Sequence, residues 1–289
     1  MVKVFYYFKN RRSRPKANRI NIPLQFLQIV LILYISFKLL WGLNYSRPSV
    51  STQLAIGNEK YNVKELVLLG NFFINRINQL QPKVNNAQNH TITALREQSV
   101  LAYQKMARSY PLFNYPGTSF KPALSSWTIS RMGIEGYYNP LSGEANLNMK
   151  LPPWVLSFVA CHEIAHQLGV AKEDEANLVG YLAAVNSENI DFQYSANYNM
   201  LRYILYEIGY KSPEDYELLY QKLNPQLIAN FKVESDFWRE YNSQMSGYMT
   251  FAFDSFLKLN KQSSGIESYQ NIVIWLWNYH KAEISAIPI

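Results

Sequence analysis

The chain of 289 residues has a single cysteine, Cys161. No intrachain disulfide is available, so the fold has to be held by its core. Charge is also scarce. Asp, Glu, Lys and Arg supply 17% of residues, against about a quarter in ordinary soluble domains, which implies that part of the chain faces lipid or a large packed interior. The net charge of +7 does not mark a nucleic-acid binder. Lys3, Lys9, Arg11, Arg12, Arg14, Lys16 and Arg19 precede any acidic residue and account for the whole excess. The remainder is near neutral, with no basic stripe interleaved with aromatics, so no nucleic-acid partner is expected. Internal repeats and low-complexity tracts are lacking too.

Hydrophobic residues are abundant, at 48% with 15% aromatic, enough for one main globular domain with a sizeable core. From Pro23 to Leu43 the chain is largely apolar with Lys38 its one charged residue, long enough to cross a bilayer and without a small-residue cleavage site after it. This reads as an uncleaved single-span anchor. Its basic flank predicts a cytoplasmic N-terminus, with everything beyond Tyr45 across the membrane, periplasmic or extracellular. The expected organisation is a basic cytoplasmic segment over 1–22, the transmembrane anchor over 23–44, a juxtamembrane helical hairpin over 45–115 and a catalytic domain over 116–289.

Two amphipathic segments, about Asn62 to Leu80 and Thr91 to Arg108, form the expected hairpin; Leu66, Leu69, Phe73 and Ile77 recur at helical spacing in the first. From Ser119 to Met149 turn signals at Gly133, Gly136, Pro140 and Ser142-Gly143 separate strand-like runs. Glu144 to Met149 alternates polar and apolar residues, as a half-buried strand does. Beyond residue 152 the periodicity predicts helices over 153–168, 172–187, 195–208, 213–222, 234–260 and 266–282. The fold class is therefore α+β, predominantly helical with a small sheet.

The chemistry concentrates in His162-Glu163-Ile164-Ala165-His166, inside a helix that Pro153 starts and Gly169 ends. Histidines four apart share a helical face, so both imidazoles reach one metal ion, and Glu163 beside them is placed to take a proton from an activated water. The preceding run from Trp154 to Cys161 is apolar, so these ionisable groups are buried and need a compensating cation. A catalytic zinc site has three protein ligands and an open position. Glu173 and Asp174 read as first-turn acids that complement the helix dipole. Glu175 shares a face with Leu178, Val179 and Leu182, and is the expected third ligand. The predicted site is thus Glu163 as catalytic base, with His162, His166 and Glu175 as ligands of Zn2+.

Other residues carry less. Cys161 reads as a small core residue, His90 and His280 as solvated, and Trp275 and Trp277 as helix packing or an interfacial belt. Tyr194, Tyr198, Arg202 and Tyr203 include candidates for oxyanion stabilisation, with packing an equal reading for the last three. The strand with Asn146 and Asn148 would pair with an extended peptide if it lay at a cleft edge.

Trp41-Gly42-Leu43-Asn44-Tyr45-Ser46-Arg47-Pro48, Gly136-Tyr137-Tyr138-Asn139-Pro140, Gly143-Glu144-Ala145-Asn146, Ala160 to Gln167 and Glu173-Asp174-Glu175-Ala176-Asn177 together resemble a domain-of-unknown-function family of bacterial membrane proteins, chiefly from Bacteroidota, with a zincin-type core. The resemblance runs from about residue 40 to the C-terminus. It implies a zincin-like metallopeptidase domain with His162 and His166 as ligands, Glu163 as base and Glu175 as third ligand. The expected function is a membrane-anchored zinc-dependent metallohydrolase, a peptidase acting on a peptide or protein substrate outside the cytoplasm. A hydrolase of another amide, such as a cell-wall crosslink, has the same signature. A non-catalytic envelope protein with a structural metal, binding a partner through its helices, is the alternative; it has no use for Glu163.

Overall fold

The computed structural model describes residues 22–84, 91–117, 119–241, 244–260 and 271–286. The chain divides into two units, Met1–Leu43 and Asn44–Ile289. In the first, α1 spans Ile22–Leu40. Among the described residues it is the one helix long and apolar enough to cross a membrane, and side chains such as Phe26, Leu27 and Ile32 are exposed along it.

The second unit starts with a short helix, α2 (Val50–Gln53), then α3 (Val63–Leu80) and α4 (Ile92–Ser109). A capping box starts α3: the Asn62 side chain accepts from Glu65 N and the Glu65 carboxylate accepts from Asn62 N. Leu66, Leu69, Phe73 and Ile77 are fully buried, each burial contributing roughly 1.5–3 kcal/mol. The expected hairpin is not a separate module. Helix α3 packs along α8 (Ile190–Lys211), while α4 packs against α6 (Pro153–Gln167) and α7 (Glu173–Val185), all inside the second unit.

Three short strands form the sheet: β1 (Phe120–Pro122), β2 (Gly136–Asn139) and β3 (Glu144–Leu147), in the order β1-β3-β2. Strand β3 pairs parallel to β1, with Phe120 opposite Ala145, and antiparallel to β2, with Gly136 opposite Leu147. A helical turn, α5 (Ser126–Arg131), interrupts the region expected to be all strand. Its cap, Ser125 accepting from Thr128 N, is a local signal too short to stand out from turn chemistry.

The structure is built around α6. It packs against α7, α8 and α4 and lies across β2 and β3. Helices α6 and α7 cross closely at Gly180, where a Cβ would stand 2.9 Å from His162 N and 3.0 Å from its Cα. Gln167, at the end of α6, ties the helix to the sheet region. Its amide donates to Ser119 O at 2.7 Å and Gly143 O at 2.8 Å, and its oxygen accepts from the Tyr115 hydroxyl at 2.7 Å.

Helices α9 (Pro213–Tyr220), α10 (Pro225–Tyr241), α11 (Gln244–Leu259) and α12 (Asn271–Ser285) complete the described chain. The single helix expected over 234–260 is two, α10 and α11, and α10 starts earlier because Asn224 Oδ1 accepts from Leu227 N. Helix α12 packs on α3 and α7, which buries Trp275 and Trp277 as helix-packing residues. The same packing overturns the solvated reading of His280. It is buried, its Nε2 lies 2.7 Å from the Tyr181 hydroxyl and its Nδ1 3.1 Å from Glu283 Oε2. Burial, with Arg76 nearby, pulls its pKa down to about 4. His90 lies outside the described residues.

Candidate metal centre

Helix α6 ends in a Schellman motif. Gly169 takes φ +85°, Gly169 N–H donates to His166 O at 2.8 Å and Val170 N–H to Ala165 O at 3.1 Å. One turn inside that end, His162 and His166 project from the same face, with their Nε2 atoms 3.1 Å apart. The next helix brings Glu173 to them: its Oε2 lies 3.2 Å from His162 Nε2 and 3.5 Å from His166 Nε2. Among the described residues, these three side chains form a group whose ligand atoms all lie within 4.8 Å of one another.

The third carboxylate differs from the expected one. Glu175 is buried on the packed side of α7, as its apolar neighbours imply, but its partner is Lys172, whose Nζ donates to Oε1 at 2.9 Å. Residues two apart on a helix point about 200° apart, so Glu173 and Glu175 cannot both face α6. Glu173, Asn177 and Gly180, at spacings of four and seven, make up the face that meets α6, and Gly180 touches His162 directly. That stripe, with a glycine in mid-helix, was the available signal. First-turn acidity alone concealed it.

The residues present fit a divalent cation. Donors at 2.0–2.1 Å from a tetrahedral zinc lie about 3.4 Å from one another; the three separations here are 3.1, 3.2 and 3.5 Å. His166 Nδ1 lies 2.7 Å from Val170 O, and a carbonyl only accepts, so Nδ1 carries a proton and Nε2 is the nitrogen that would ligate. A cation would also relieve a charge problem. Burial lowers the His162 pKa and opposes a charge on His166, but the Glu173 carboxylate drives His166 up to about 9. Burial pushes Glu173 the other way, yet the two imidazoles hold it well below the usual carboxylate range.

Glu163 lies beside this group, within reach of the charges of His166 and Glu173. It is buried, its Oε2 has no hydrogen-bond partner, and burial raises its pKa to about 8. Gly136, the first residue of β2, lies against it so closely that a Cβ there would be 2.7 Å from Glu163 Oε1. Strand β3, which would pair with a peptide only at a cleft edge, is central and has both sides occupied, as an ordinary structural strand. Asn148 is structural: its amide donates to Ser130 Oγ at 2.8 Å and Ile134 O at 3.1 Å. In the sheet formed by the described residues, β2 is the edge beside Glu163.

The polar residues of α8 separate by role. Tyr194 accepts from Asn230 Nδ2 at 2.8 Å and Tyr198 donates to Glu234 Oε2 at 2.5 Å, so both are buried packing residues with satisfied hydroxyls. Arg202 Nη1 lies 2.9 Å from Glu234 Oε1 and 3.6 Å from Glu135 Oε1. The Tyr203 hydroxyl accepts from Asn177 Nδ2 at 3.5 Å, on the α7 face that carries Glu173. Burial and the Glu135 charge push Tyr203 up to about 12, so its hydroxyl is a donor at neutral pH. Cys161 is a fully buried core residue, as expected.

The family model described as Protein of unknown function (DUF3810) matches residues 1–277. The chain belongs to that family, and the match takes in both the apolar N-terminal helix and the His162, His166 and Glu173 cluster. No curated protein matches the chain, and no solved structure does.

Proposed function

We propose that the chain is a membrane-anchored, zinc-dependent metallohydrolase with a zincin-like core, and that it is a peptidase working on the extracytoplasmic side of a bacterial inner membrane. One observation carries this reading. Three donor atoms from α6 and α7 stand at the edge lengths of a tetrahedral zinc site, with the unpartnered, buried carboxylate of Glu163 next to them. The ligands are His162, His166 and Glu173, with Glu173 in the role expected of Glu175.

Zinc held there supplies Lewis acidity, which lowers the pKa of water and polarises a carbonyl. Glu163 accepts the proton of the attacking water and hands it to the departing amine, a task that suits a carboxyl raised towards neutrality. The Tyr203 hydroxyl donates to the developing oxyanion. An extended peptide adds to β2, an edge strand of the sheet formed by the described residues, which carries its backbone past Glu163 at Gly136. The apolar α1 and the basic residues before it in the sequence support the proposed orientation, in which the second unit is extracytoplasmic.

The test is the Glu163→Gln variant with metal analysis and a peptide-library digest, both with and without chelator. Wild type binds one zinc and cleaves; the variant keeps the zinc and loses hydrolysis by a factor of about 10²–10⁴. A variant as active as wild type refutes the assignment of the base, and a wild type that binds no zinc refutes the whole reading.

A further inference from the structure

The motif from Trp41 to Pro48 has no part in the reaction just described, yet two of its side chains lie on the end of the metal-binding helix. Arg47 Nη1 donates to Leu168 O at 3.1 Å. Leu168 is the C-cap of α6; in the Schellman termination the carbonyls of Ala165 and His166 have partners, and Arg47 supplies one for the cap carbonyl. A Cβ on Gly169 would stand 2.3 Å from Arg47 Nη1 and 3.2 Å from Asn44 Oδ1, so the guanidinium and the Asn44 amide press directly on that glycine. The next residue is Val170, whose carbonyl holds His166 Nδ1 at 2.7 Å.

A metal-ligating histidine takes its ring orientation and tautomer from the partner of its other nitrogen, and loss of such a partner weakens metal binding. Here that partner is a backbone carbonyl in a tight turn rather than a side chain locked by packing. The direction of Val170 C=O depends on the left-handed turn at Gly169, and that turn is clamped from outside by Arg47 and Asn44.

We infer that Arg47 is a positioning residue for the metal site: by clamping the Leu168–Gly169 turn it aims the Val170 carbonyl at His166 Nδ1 and so sets the geometry of that ligand. This rests on the metal-site reading above. It also gives the motif that follows the anchor helix a task in the active centre. Arg47 touches neither metal nor substrate.

The experiment uses the full chain in detergent, with zinc affinity measured by competition against a fluorescent chelator and ligand geometry read from the visible spectrum of the cobalt(II)-loaded protein. The variants are Arg47→Ala, Arg47→Lys and, as a control for loss of an exposed ion pair elsewhere, Arg76→Ala, which removes the pair with Glu283. Arg47→Ala is expected to bind zinc about tenfold more weakly and to shift the cobalt bands. Arg47→Lys restores most of the affinity, because an ammonium can still donate to one carbonyl, and Arg76→Ala matches wild type. If wild type binds zinc and Arg47→Ala binds it equally well with an unchanged cobalt spectrum, the inference is overturned and the metal site stands. Equal losses in the Arg47 and Arg76 variants overturn it as well, since they reflect general destabilisation. A wild type that binds neither metal removes the reading on which it rests.

Discussion

Loading the metal-free protein with zinc near pH 7.5 should release between one and two protons. His166 has a pKa of about 9 in the metal-free chain, because the Glu173 charge outweighs the cost of burial, so its imidazole is almost wholly protonated at that pH. Glu163, raised to about 8 by burial, is mostly protonated too. A dication bound at His166 Nε2 must displace the first proton, and its field favours loss of the second. Calorimetric titration of zinc in two buffers of different ionisation enthalpy gives the number directly. In Glu173→Gln the imidazolium loses its counter-charge, so the count should fall by about one and zinc should bind more weakly. The same groups fix a pH dependence of stability. His166 is raised from 6.5 to about 9, so its contribution is fully present below 6.5 and is lost as pH climbs through 9. At roughly 1.4 kcal/mol per unit that loss amounts to about 3 kcal/mol. Glu163 acts in the same direction, since ionisation of its buried carboxyl is resisted between 4.5 and about 8. Tight zinc binding with no proton release, or metal-free stability that is flat from pH 6.5 to 9, would refute this account of the site.

The other expectations are simpler. Glu175→Ala should leave zinc affinity unchanged while costing about 1–3 kcal/mol in chemical denaturation, because it leaves Lys172 without this partner. Gly180→Ala forces α7 away from the His162 backbone, so unfolding experiments should register a loss of about 1–3 kcal/mol and a chelator assay a weakened site. Tyr203→Phe removes the proposed oxyanion donor, together with the long contact it accepts from Asn177; steady-state kinetics should give a kcat lower by about 10²–10³ with KM and zinc content little altered. A fall confined to KM would make Tyr203 a substrate-binding residue instead.

The parts of this structure legible in the sequence are those with local causes. Helix α3 could be read because its capping box and its buried Leu66, Leu69, Phe73 and Ile77 lie within eighteen residues of one another. The two histidines and Glu163 could be read for the same reason, since one helical turn sets their geometry. The identity of the carboxylate that joins the two histidines depends on how α7 rolls against α6. Periodicity says which side of α7 is packed, and Glu175 is indeed on a packed side, but every face of that helix is buried. What distinguishes Glu173 is the partner opposite it. The same limit applies to β3, whose alternation marked a strand correctly but said nothing of its central place, and to His280, which looked solvated until α12 packed on α3 and α7.

Gln167 links these elements more tightly than its place beside His166 suggests. A side-chain amide has two donor hydrogens and an oxygen, and here both hydrogens and the oxygen are engaged, with Tyr115 and Ser119 from the stretch before β1 and with Gly143 from the turn between β2 and β3. The turn between β2 and β3 at Gly143 and the stretch leading into β1 therefore share one anchor at the end of α6, and a shift of either along the helix would have to break a bond that Gln167 makes.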